Sequence, residues 1–279
     1  MASSRFFRLA LFALVLATFA PLSKNAQPAL FNDLLLYNSA PLLIIFFSFK
    51  ALSNEDLRTR ITFQLAITSW ALGSIISSLA AVYLLSENFQ IISDFLYLLF
   101  YPLLYLAIPR LLRGNVQSTK LASIDATIVA LGISALCTAV LMKPVLPSFN
   151  GDQLETFFAI VFPVADIVLV ALVFSLNPFH QITARSSILM AGILAFAAAD
   201  FINLWLTANN RYQFGSWSDS LWLVAILLFG ESTWHKRDES NLSVDTHPIL
   251  IAVAVLFSIT LLSLLALRPG YLPSFIIGP

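Results

Sequence analysis

The chain reads ITFQLAITSWALGSIISSLAAVYLL from Ile61 to Leu85, a run of 25 residues that contains no charged side chain. About 20 apolar residues in a helix cross the hydrocarbon core of a bilayer, so this run is long enough to span a membrane. Backbone polar groups cannot stay unpaired in lipid, and a single segment can pair its own only as a helix. The run therefore predicts a transmembrane α-helix.

Eight further apolar runs, separated by short polar connections, give the same prediction. The nine predicted spans are Phe6–Leu22, Leu34–Phe49, Ile61–Leu85, Ile92–Leu112, Leu121–Met142, Leu154–Leu176, Ser187–Thr207, Trp217–Trp234 and Pro248–Leu267. The first run also has features of a secretory signal, but Pro21 would follow the cleavage site and disfavours that reading. The residues after Arg268 turn apolar again, so we expect the start of a tenth helix and a truncated sequence.

These runs together predict an all-α fold, a polytopic membrane helix bundle of about nine transmembrane helices plus the start of a tenth. No connection is long enough to hold a soluble domain, so residues 1–279 form a single integral-membrane helical domain in this prediction. The composition agrees, because 59% of the residues are hydrophobic and 11% are charged. A soluble domain carries about 25% charged residues.

Net charge and motifs restrict the function classes. Fifteen Lys and Arg balance fifteen Asp and Glu, so no basic field favours nucleic acid, and the lipid bilayer is the expected partner. The single Cys137 and the three histidines match no zinc motif, and no phosphate-binding or serine-hydrolase motif occurs. We therefore expect no metal, no cofactor and no enzymatic activity.

The distribution of positive charge predicts the orientation in the membrane. With a cytoplasmic N-terminus, the inner segments carry eleven Lys and Arg residues and the outer segments carry four. Cytoplasmic loops of membrane proteins have this excess of positive residues. We expect a multi-pass protein of the cell membrane with its N-terminus in the cytoplasm and, with nine spans, the C-terminus of this chain outside.

Two carboxylates lie deep inside predicted spans. Asp166 follows Pro163 in the sixth span, and Asp200 lies in the seventh with Asn203 one helical turn further on. A charged residue at such depth costs roughly 2.5–3.5 kcal/mol on insertion scales, which makes it a candidate functional group. Because consecutive helices with a short connection are antiparallel neighbours, we expect Asp166 and Asp200 to face one cavity. This pair predicts a pocket for a ligand, a cation or a proton, or alternatively a hydrogen-bonded contact that only fixes helix packing.

A tyrosine stripe marks the fourth span. Tyr97, Tyr101 and Tyr105 recur every four residues and so share one helix face. Such a stripe serves packing more often than binding, and both alternatives stay open. The candidate ligand- or proton-binding residues are Asp166, Asp200, Asn203 and Tyr101.

Short strings follow one another along the chain in a fixed order. They are Leu35-Leu36-Tyr37-Asn38, Ser69-Trp70-Ala71-Leu72-Gly73, residues 94–103 from Asp94 to Leu103, residues 125–132 from Asp125 to Gly132, Phe162-Pro163-Val164-Ala165-Asp166, Ala199-Asp200 and Asp219-Ser220-Leu221-Trp222-Leu223. The set resembles the N-terminal multi-span module of actinobacterial GGDEF and GGDEF–EAL membrane proteins, over nearly the whole chain. Phe162 and Ala165 depart from that family's usual Tyr and Gly.

The resemblance implies a function in signalling. In that family a module of about ten helices precedes cytosolic domains that make or degrade cyclic di-GMP, and neither a G-G-D-E-F nor an E-A-L string occurs in this chain. It therefore implies a membrane-embedded sensory or input module without its own catalytic domain. The partners that we expect besides the bilayer are an unknown small ligand and a second copy of the chain, in a homodimer through the helices. The alternative is a small polytopic transporter or permease with an acidic site at the membrane midplane.

Overall fold

The regular structure of the protein is entirely helical in the part described here. The computed structural model describes residues 2–19, 30–113, 153–176 and 183–235, and it contains no strand within them. The α-helices in these ranges are α1 (Ala2–Thr18), α2 (Tyr37–Ala51), α3 (Leu57–Tyr83), α4 (Glu87–Arg113), α5 (Gln153–Leu176), α6 (Ala184–Ala208) and α7 (Asp219–Thr233). A π-helical segment, Leu30–Leu36, leads into α2, and a 3-10 turn, Leu52–Asn54, follows it. The all-helical prediction is confirmed for these residues, and the predicted spans Leu121–Met142 and Pro248–Leu267 lie outside them.

Four helical segments are long and apolar enough to cross a membrane, namely Leu30–Asn54, Leu57–Tyr83, Glu87–Leu112 and Ala184–Ala208. Their outer faces carry large apolar side chains, of which Phe46 is 71% exposed and Leu65 is 50% exposed. A water-soluble surface rarely leaves so many apolar groups uncovered, whereas lipid covers them. Trp205 and Trp217 are exposed near helix ends, where interfacial aromatic residues collect. These features indicate a membrane protein.

The helices pack around a shared aromatic core. Helix α3 packs along α4, and α6 packs along α7. Helix α2 contacts both α3 and α7, and α5 contacts both α4 and α6. Phe100 of α4 stacks on Phe196 of α6 with ring centroids 4.9 Å apart, and Phe229 of α7 lies 6.2 Å from each. Lipid is as apolar as these side chains, so close packing and hydrogen bonds, rather than exclusion of water, hold such a bundle together.

Two glycines allow neighbouring helices to approach closely. A Cβ atom at Gly73 would lie 3.0 Å from the Tyr97 ring and 3.1 Å from the carbonyl oxygen of Ser93. The Ser93 hydroxyl donates a hydrogen bond of 2.8 Å to the Gly73 carbonyl, which joins α3 to α4 at the same point. A Cβ atom at Gly192 would lie 2.8 Å from the ring of Phe229. A larger side chain at position 73 would push α3 away from α4, and one at position 192 would push α6 away from α7.

A buried arginine joins several elements at the end of the bundle where α4 ends and α6 begins. Arg185 is 3% exposed, and its guanidinium pairs with the Glu55 carboxylate at 2.7 Å. It also donates hydrogen bonds to the carbonyl oxygens of His235, at 2.7 Å, and Leu111, at 3.1 Å. Beside it, Glu231 of α7 pairs with Arg8 of α1. Arg185 thus connects the α2–α3 connection, α4, α6 and the end of α7.

Helix α3 begins with a side-chain cap. Asp56 has extended backbone geometry, and its carboxylate accepts a hydrogen bond of 3.1 Å from the backbone N–H of Thr59. Burial opposes ionisation of this carboxyl, but the hydrogen bonds from Thr59 outweigh burial and lower the pKa of Asp56. The ionised form of the Asp56 side chain therefore makes the capping hydrogen bonds.

We expect Asp56→Ala to lower the free energy of unfolding by about 1 kcal/mol, because the N–H groups of the first turn of α3 lose their acceptor. Since the folded pKa lies below the unfolded value of about 3.9, the contribution of the carboxylate is complete above that pH and is lost as the pH falls through the folded pKa. Asp56→Asn keeps a capping oxygen and should retain neutral-pH stability without this acid dependence. Thermal unfolding in detergent between pH 3 and pH 7 measures both effects, and an unchanged acid dependence in Asp56→Asn would contradict the assignment.

Candidate functional site

A cavity of about 590 Å³ lies between the helices at the end of the bundle where α3 ends and α4 begins. Its lining follows helical spacing along α4, from Glu87 through Asp94 and Tyr97 to Tyr101. The floor is formed by the lining residue of each long helix that lies furthest from this end of the bundle. These residues are Trp70 of α3, Tyr101 of α4, Pro163 of α5 and Phe196 of α6. Pockets of roughly 300–1,000 Å³ are typical of small-molecule sites.

The cavity wall is acidic. Its described lining includes five carboxylates and no lysine, arginine or histidine. The carboxylates come from the segment before α2, the start of α4, the middle of α6 and the start of α7: they are Asp33, Glu87, Asp94, Asp200 and Asp219.

The rest of the wall is strongly aromatic. Ten aromatic side chains line the cavity: Tyr37, Trp70, Tyr97, Tyr101, Phe158, Phe162, Phe196, Tyr212, Phe214 and Trp222. On the side formed by α4 and α5, the rings of Tyr101 and Phe162 stack with centroids 6.1 Å apart, and Phe158 stacks on Phe162 at 5.5 Å. The cavity thus combines acidic groups with aromatic faces.

Asp200 is held by hydrogen bonds from two other helices. The Tyr101 hydroxyl of α4 donates to Asp200 Oδ2 at 2.6 Å, and the Trp222 indole N–H of α7 donates to Asp200 Oδ1 at 2.5 Å. Each carboxylate oxygen therefore has a fixed donor, and the contact joins α4, α6 and α7 at the cavity wall. The orientation of this carboxylate is set before any ligand enters.

Asp166 lies behind the floor of the cavity, on α5 and one helical turn beyond Pro163. It is 1% exposed and close enough to Tyr101 and Asp200 for mutual electrostatic interaction. Its Oδ2 atom has no hydrogen-bond partner among the described residues. A buried polar atom without a partner is rare in folded proteins and calls for an explanation in terms of function or of a bound group.

The four residues selected from the sequence therefore fall in one region. Tyr101, Asp200 and Asn203 line the cavity, and Asp166 lies behind it. Asn203 accepts a hydrogen bond of 3.1 Å from the Thr207 hydroxyl on the same helix. The expected packing of α5 against α6 is present. The tyrosine stripe divides, because Tyr97 and Tyr101 line the cavity whereas Tyr105 packs against the core.

Other polar residues of the wall were not selected from the sequence. The Ser74 hydroxyl donates to Asn38 Oδ1 at 2.7 Å, and Asn38 Nδ2 donates to the Ser78 hydroxyl at 3.0 Å, which joins α2 to α3. The available signal was the spacing of Ser74 and Ser78, four residues apart in an uncharged run. Trp222 carried no such signal, because its role depends on how α7 is rotated against α6.

The loop between α6 and α7 closes part of the mouth. The Asp219 carboxylate accepts a hydrogen bond from the Gly215 backbone N–H at 2.5 Å and one from the Tyr212 hydroxyl at 3.4 Å. Burial and the nearby Asp219 raise the pKa of Tyr212 well above its ordinary value, so the hydroxyl stays protonated as a donor. Through these contacts Asp219, the first residue of α7, holds the loop in place.

Fixed donors, acidic groups and aromatic faces line a cavity of the size typical of small-molecule sites. No protein-family model, no curated protein and no solved structure matches this chain.

Proposed function

We propose that the protein is a membrane-embedded sensory or input module that binds a small ligand in this cavity. In the proposed arrangement about nine helices span the membrane, a tenth begins after them, and the N-terminus lies in the cytoplasm. The single observation that carries the proposal is the acidic and aromatic cavity built around Asp200. The module acts by binding rather than by catalysis.

The distribution of charge supports an outward-facing cavity. In the described residues, Lys50, Arg58, Arg110 and Arg185 lie at the ends of helices remote from the cavity, whereas Arg211 is at the cavity end. Since positive residues favour the cytoplasmic side, this arrangement places the mouth of the cavity at the outer face. A ligand would then reach the site from outside the cell.

The packing of the wall offers a route from the site to the helices. Tyr97 lines the cavity and fills the space that Gly73 leaves, so its ring cannot move toward α3 without displacing that helix. Phe196 lies in the floor and stacks on Phe100, while Phe229 fills the space at Gly192. A ligand that shifts either ring would favour one helix packing over another, as a sensory module requires.

The resemblance to the multi-span modules of GGDEF and GGDEF–EAL proteins supports a link to cyclic di-GMP signalling. In this proposal the change in helix packing is read by a cyclic di-GMP enzyme on the cytoplasmic side. The Arg185 contacts at the end of the bundle remote from the cavity join four elements and would carry the change toward that side.

The orientation can be tested with single cysteines in a Cys137→Ser background. Ser86, between α3 and α4 at the cavity end, and Asn54, after α2 at the other end, are both exposed. We expect a membrane-impermeant maleimide to label Ser86→Cys in intact cells and to label Asn54→Cys only after the membrane is permeabilised. The reverse pattern would contradict an outward-facing cavity.

A transporter is the second candidate, and the Asp166 Oδ2 atom, which has no hydrogen-bond partner among the described residues, favours it. Pro163 lies inside α5 next to this residue, and proline removes a backbone hydrogen bond, as in the interrupted helices of many transporters. Proteoliposomes with a trapped pH dye separate the two functions. If the protein is a sensory module, we expect a pH difference across the membrane to decay at the same rate with wild type and with Asp166→Asn. If it is a proton-coupled transporter, the proton flux should be lost in the variant.

A further inference from the structure

The hydrogen-bonding groups and the aromatic rings of the cavity wall identify the class of its ligand. We infer that the cavity binds a neutral sugar, a saturated ring that carries several hydroxyl groups. This inference rests on the proposed ligand-binding function and adds the chemistry of the ligand to it. The sugar is either free in solution or the headgroup of a glycolipid, and the test separates these two sources.

The first step is the density of hydrogen-bonding groups in the wall. More than half of the described lining residues carry a hydroxyl, amide or carboxylate group. An apolar or flat aromatic ligand would leave most of these groups without a partner, whereas a sugar presents hydroxyl groups around its whole ring. A site built to hydrogen-bond hydroxyl groups discriminates strongly against analogues that lack them. The density of polar groups therefore favours a polyhydroxylated ligand.

The second step is the presence of both donors and acceptors in the lining. Asn203 accepts a hydrogen bond from Thr207 through Oδ1, and its Nδ2 donates to no described residue. Asp94 accepts from Gln90 through Oδ1 at 3.1 Å, and its Oδ2 accepts from no described residue. A hydroxyl group both donates and accepts, whereas an ammonium group only donates and a carboxylate only accepts. Hydroxyl groups alone therefore satisfy both kinds of group, and no charge on the ligand is required.

The third step is a set of aromatic rings that are held by their polar ends. The Tyr37 hydroxyl donates to the Asp219 carbonyl oxygen at 2.8 Å, and the Tyr212 hydroxyl donates to the Asp219 carboxylate at 3.4 Å. The Trp222 indole N–H donates to Asp200 at 2.5 Å. All three rings line the cavity. The C–H groups of a sugar ring carry partial positive charge, and they pack favourably on the negative face of an aromatic ring.

The fourth step is the different character of the α5 wall. The described lining residues of α5 are all apolar: Leu154, Phe158, Ala159, Phe162 and Pro163. The other described elements around the cavity all contribute hydroxyl, amide or carboxylate groups. A sugar ring has the same division, because its hydroxyl groups point outward from its edge and its faces carry C–H groups. The volume of about 590 Å³ accommodates one or two such rings.

The test measures sugar binding to the full chain in phosphatidylcholine nanodiscs by isothermal titration calorimetry against empty nanodiscs. The sugars are the methyl glycosides of glucose, galactose and mannose, together with maltose and cellobiose. Three control probes lack one feature each: 2-methoxytetrahydropyran is the ring without hydroxyl groups, sorbitol has the hydroxyl groups without a ring, and indole stacks with a single N–H. We expect at least one sugar to bind at least about tenfold more tightly than every control probe.

Two substitutions in the wall locate the binding. Asn203→Leu removes the amide but nearly keeps the size of the side chain, and it should weaken the sugar at least about tenfold. The matched control is Asn54→Leu, an exposed position at the other end of the bundle, which should leave the affinity unchanged. Trp222→Leu removes an aromatic face and should weaken the sugar about tenfold, whereas Trp222→Phe keeps a ring and should weaken it less. Melting temperatures show that each variant is folded.

A glycolipid in the nanodisc separates the two sources of the sugar. Monogalactosyldiacylglycerol carries a neutral sugar headgroup at the membrane surface. If such a headgroup reaches the cavity, it competes with the free sugar and lowers the apparent affinity of that sugar, which supports a lipid-borne ligand. An unchanged affinity supports a sugar that is free in solution.

The remaining outcomes separate the sugar from the proposed function. Tighter binding of indole than of every sugar, lost in Trp222→Leu, would overturn the sugar and leave a ligand-binding module. Sugar binding that Asn203→Leu and Trp222→Leu both leave unchanged would overturn the inference, because the sugar would then bind elsewhere. Binding of neither the sugars nor indole to folded wild type would overturn both the inference and the proposed function.

Discussion

Replacing Arg185 with methionine should produce the largest loss of stability of any single substitution at the end of the bundle remote from the cavity. The guanidinium is 3% exposed, pairs with Glu55 and donates to the carbonyl oxygens of His235 and Leu111. Arg185→Met leaves a nearly buried carboxylate without this partner, and breaking such a pair from one side costs roughly 3–5 kcal/mol. Thermal and SDS-induced unfolding in detergent measure the loss.

Two controls separate this network from a general effect of lost charge. Arg58→Met removes a positive charge from an exposed position at the same end, and we expect a change of less than about 0.5 kcal/mol. Arg185→Lys keeps the charge but cannot reach several acceptors at once. Its loss of unfolding free energy should therefore lie between those of Arg185→Met and Arg58→Met. An unfolding free energy of Arg185→Met equal to that of Arg58→Met would show that the network contributes little.

Replacing Asp200 with leucine should have the second largest effect, because it removes the acceptor shared by Tyr101 and Trp222. A buried donor without an acceptor costs about 1–3 kcal/mol, so we expect Asp200→Leu to lose roughly 2–4 kcal/mol of unfolding free energy. Asp200→Asn keeps an oxygen and the shape of the side chain, and should lose less than about 1 kcal/mol.

A double-mutant cycle identifies the interaction with Tyr101. Tyr101→Phe removes the hydroxyl that donates to Asp200 at 2.6 Å. If the pair is coupled, the combined variant Tyr101→Phe with Asp200→Leu loses less stability than the sum of the single losses, by about 0.5–3 kcal/mol. Additive losses would mean that the hydroxyl finds an equally good acceptor elsewhere.

Within the described residues, the positions of the helices were largely predictable, and their ends were less so. The uncharged run from Ile61 to Leu85 corresponds to α3, which begins four residues earlier because Asp56 caps it. Helix α4 begins at Glu87 rather than at the predicted Ile92. Hydropathy excluded the polar residues of its first turn, although Gln90 lines the cavity and belongs to the helix. Charge and polarity alone do not distinguish a loop from the polar end of a helix.

The candidate site was predictable only in part, for a reason of geometry. A carboxylate at the depth of Asp200 is expensive in lipid, so its sequence position alone marked it, and Asn203 followed from helical spacing. The donation from Trp222 depends on the rotation of α7, which no pattern within that helix specifies. The contact of Asn38 with Ser74 and Ser78 likewise depends on which face α2 turns to α3.

The depth of Asp200 has a consequence for the membrane potential. The residue lies eight positions before Ala208, where α6 ends, which is about 12 Å along the helix axis at 1.5 Å per residue. A singly charged ligand that reached this carboxylate from the cavity mouth would cross at most roughly 0.4 of a hydrocarbon core about 30 Å thick. Moving one charge through that share of the field changes its binding free energy by up to about 0.9 kcal/mol per 100 mV. The occupancy of the site by such a ligand would then change by up to about four- to fivefold with each 100 mV, so binding of a charged ligand at this depth would depend on the voltage across the membrane as well as on the ligand concentration.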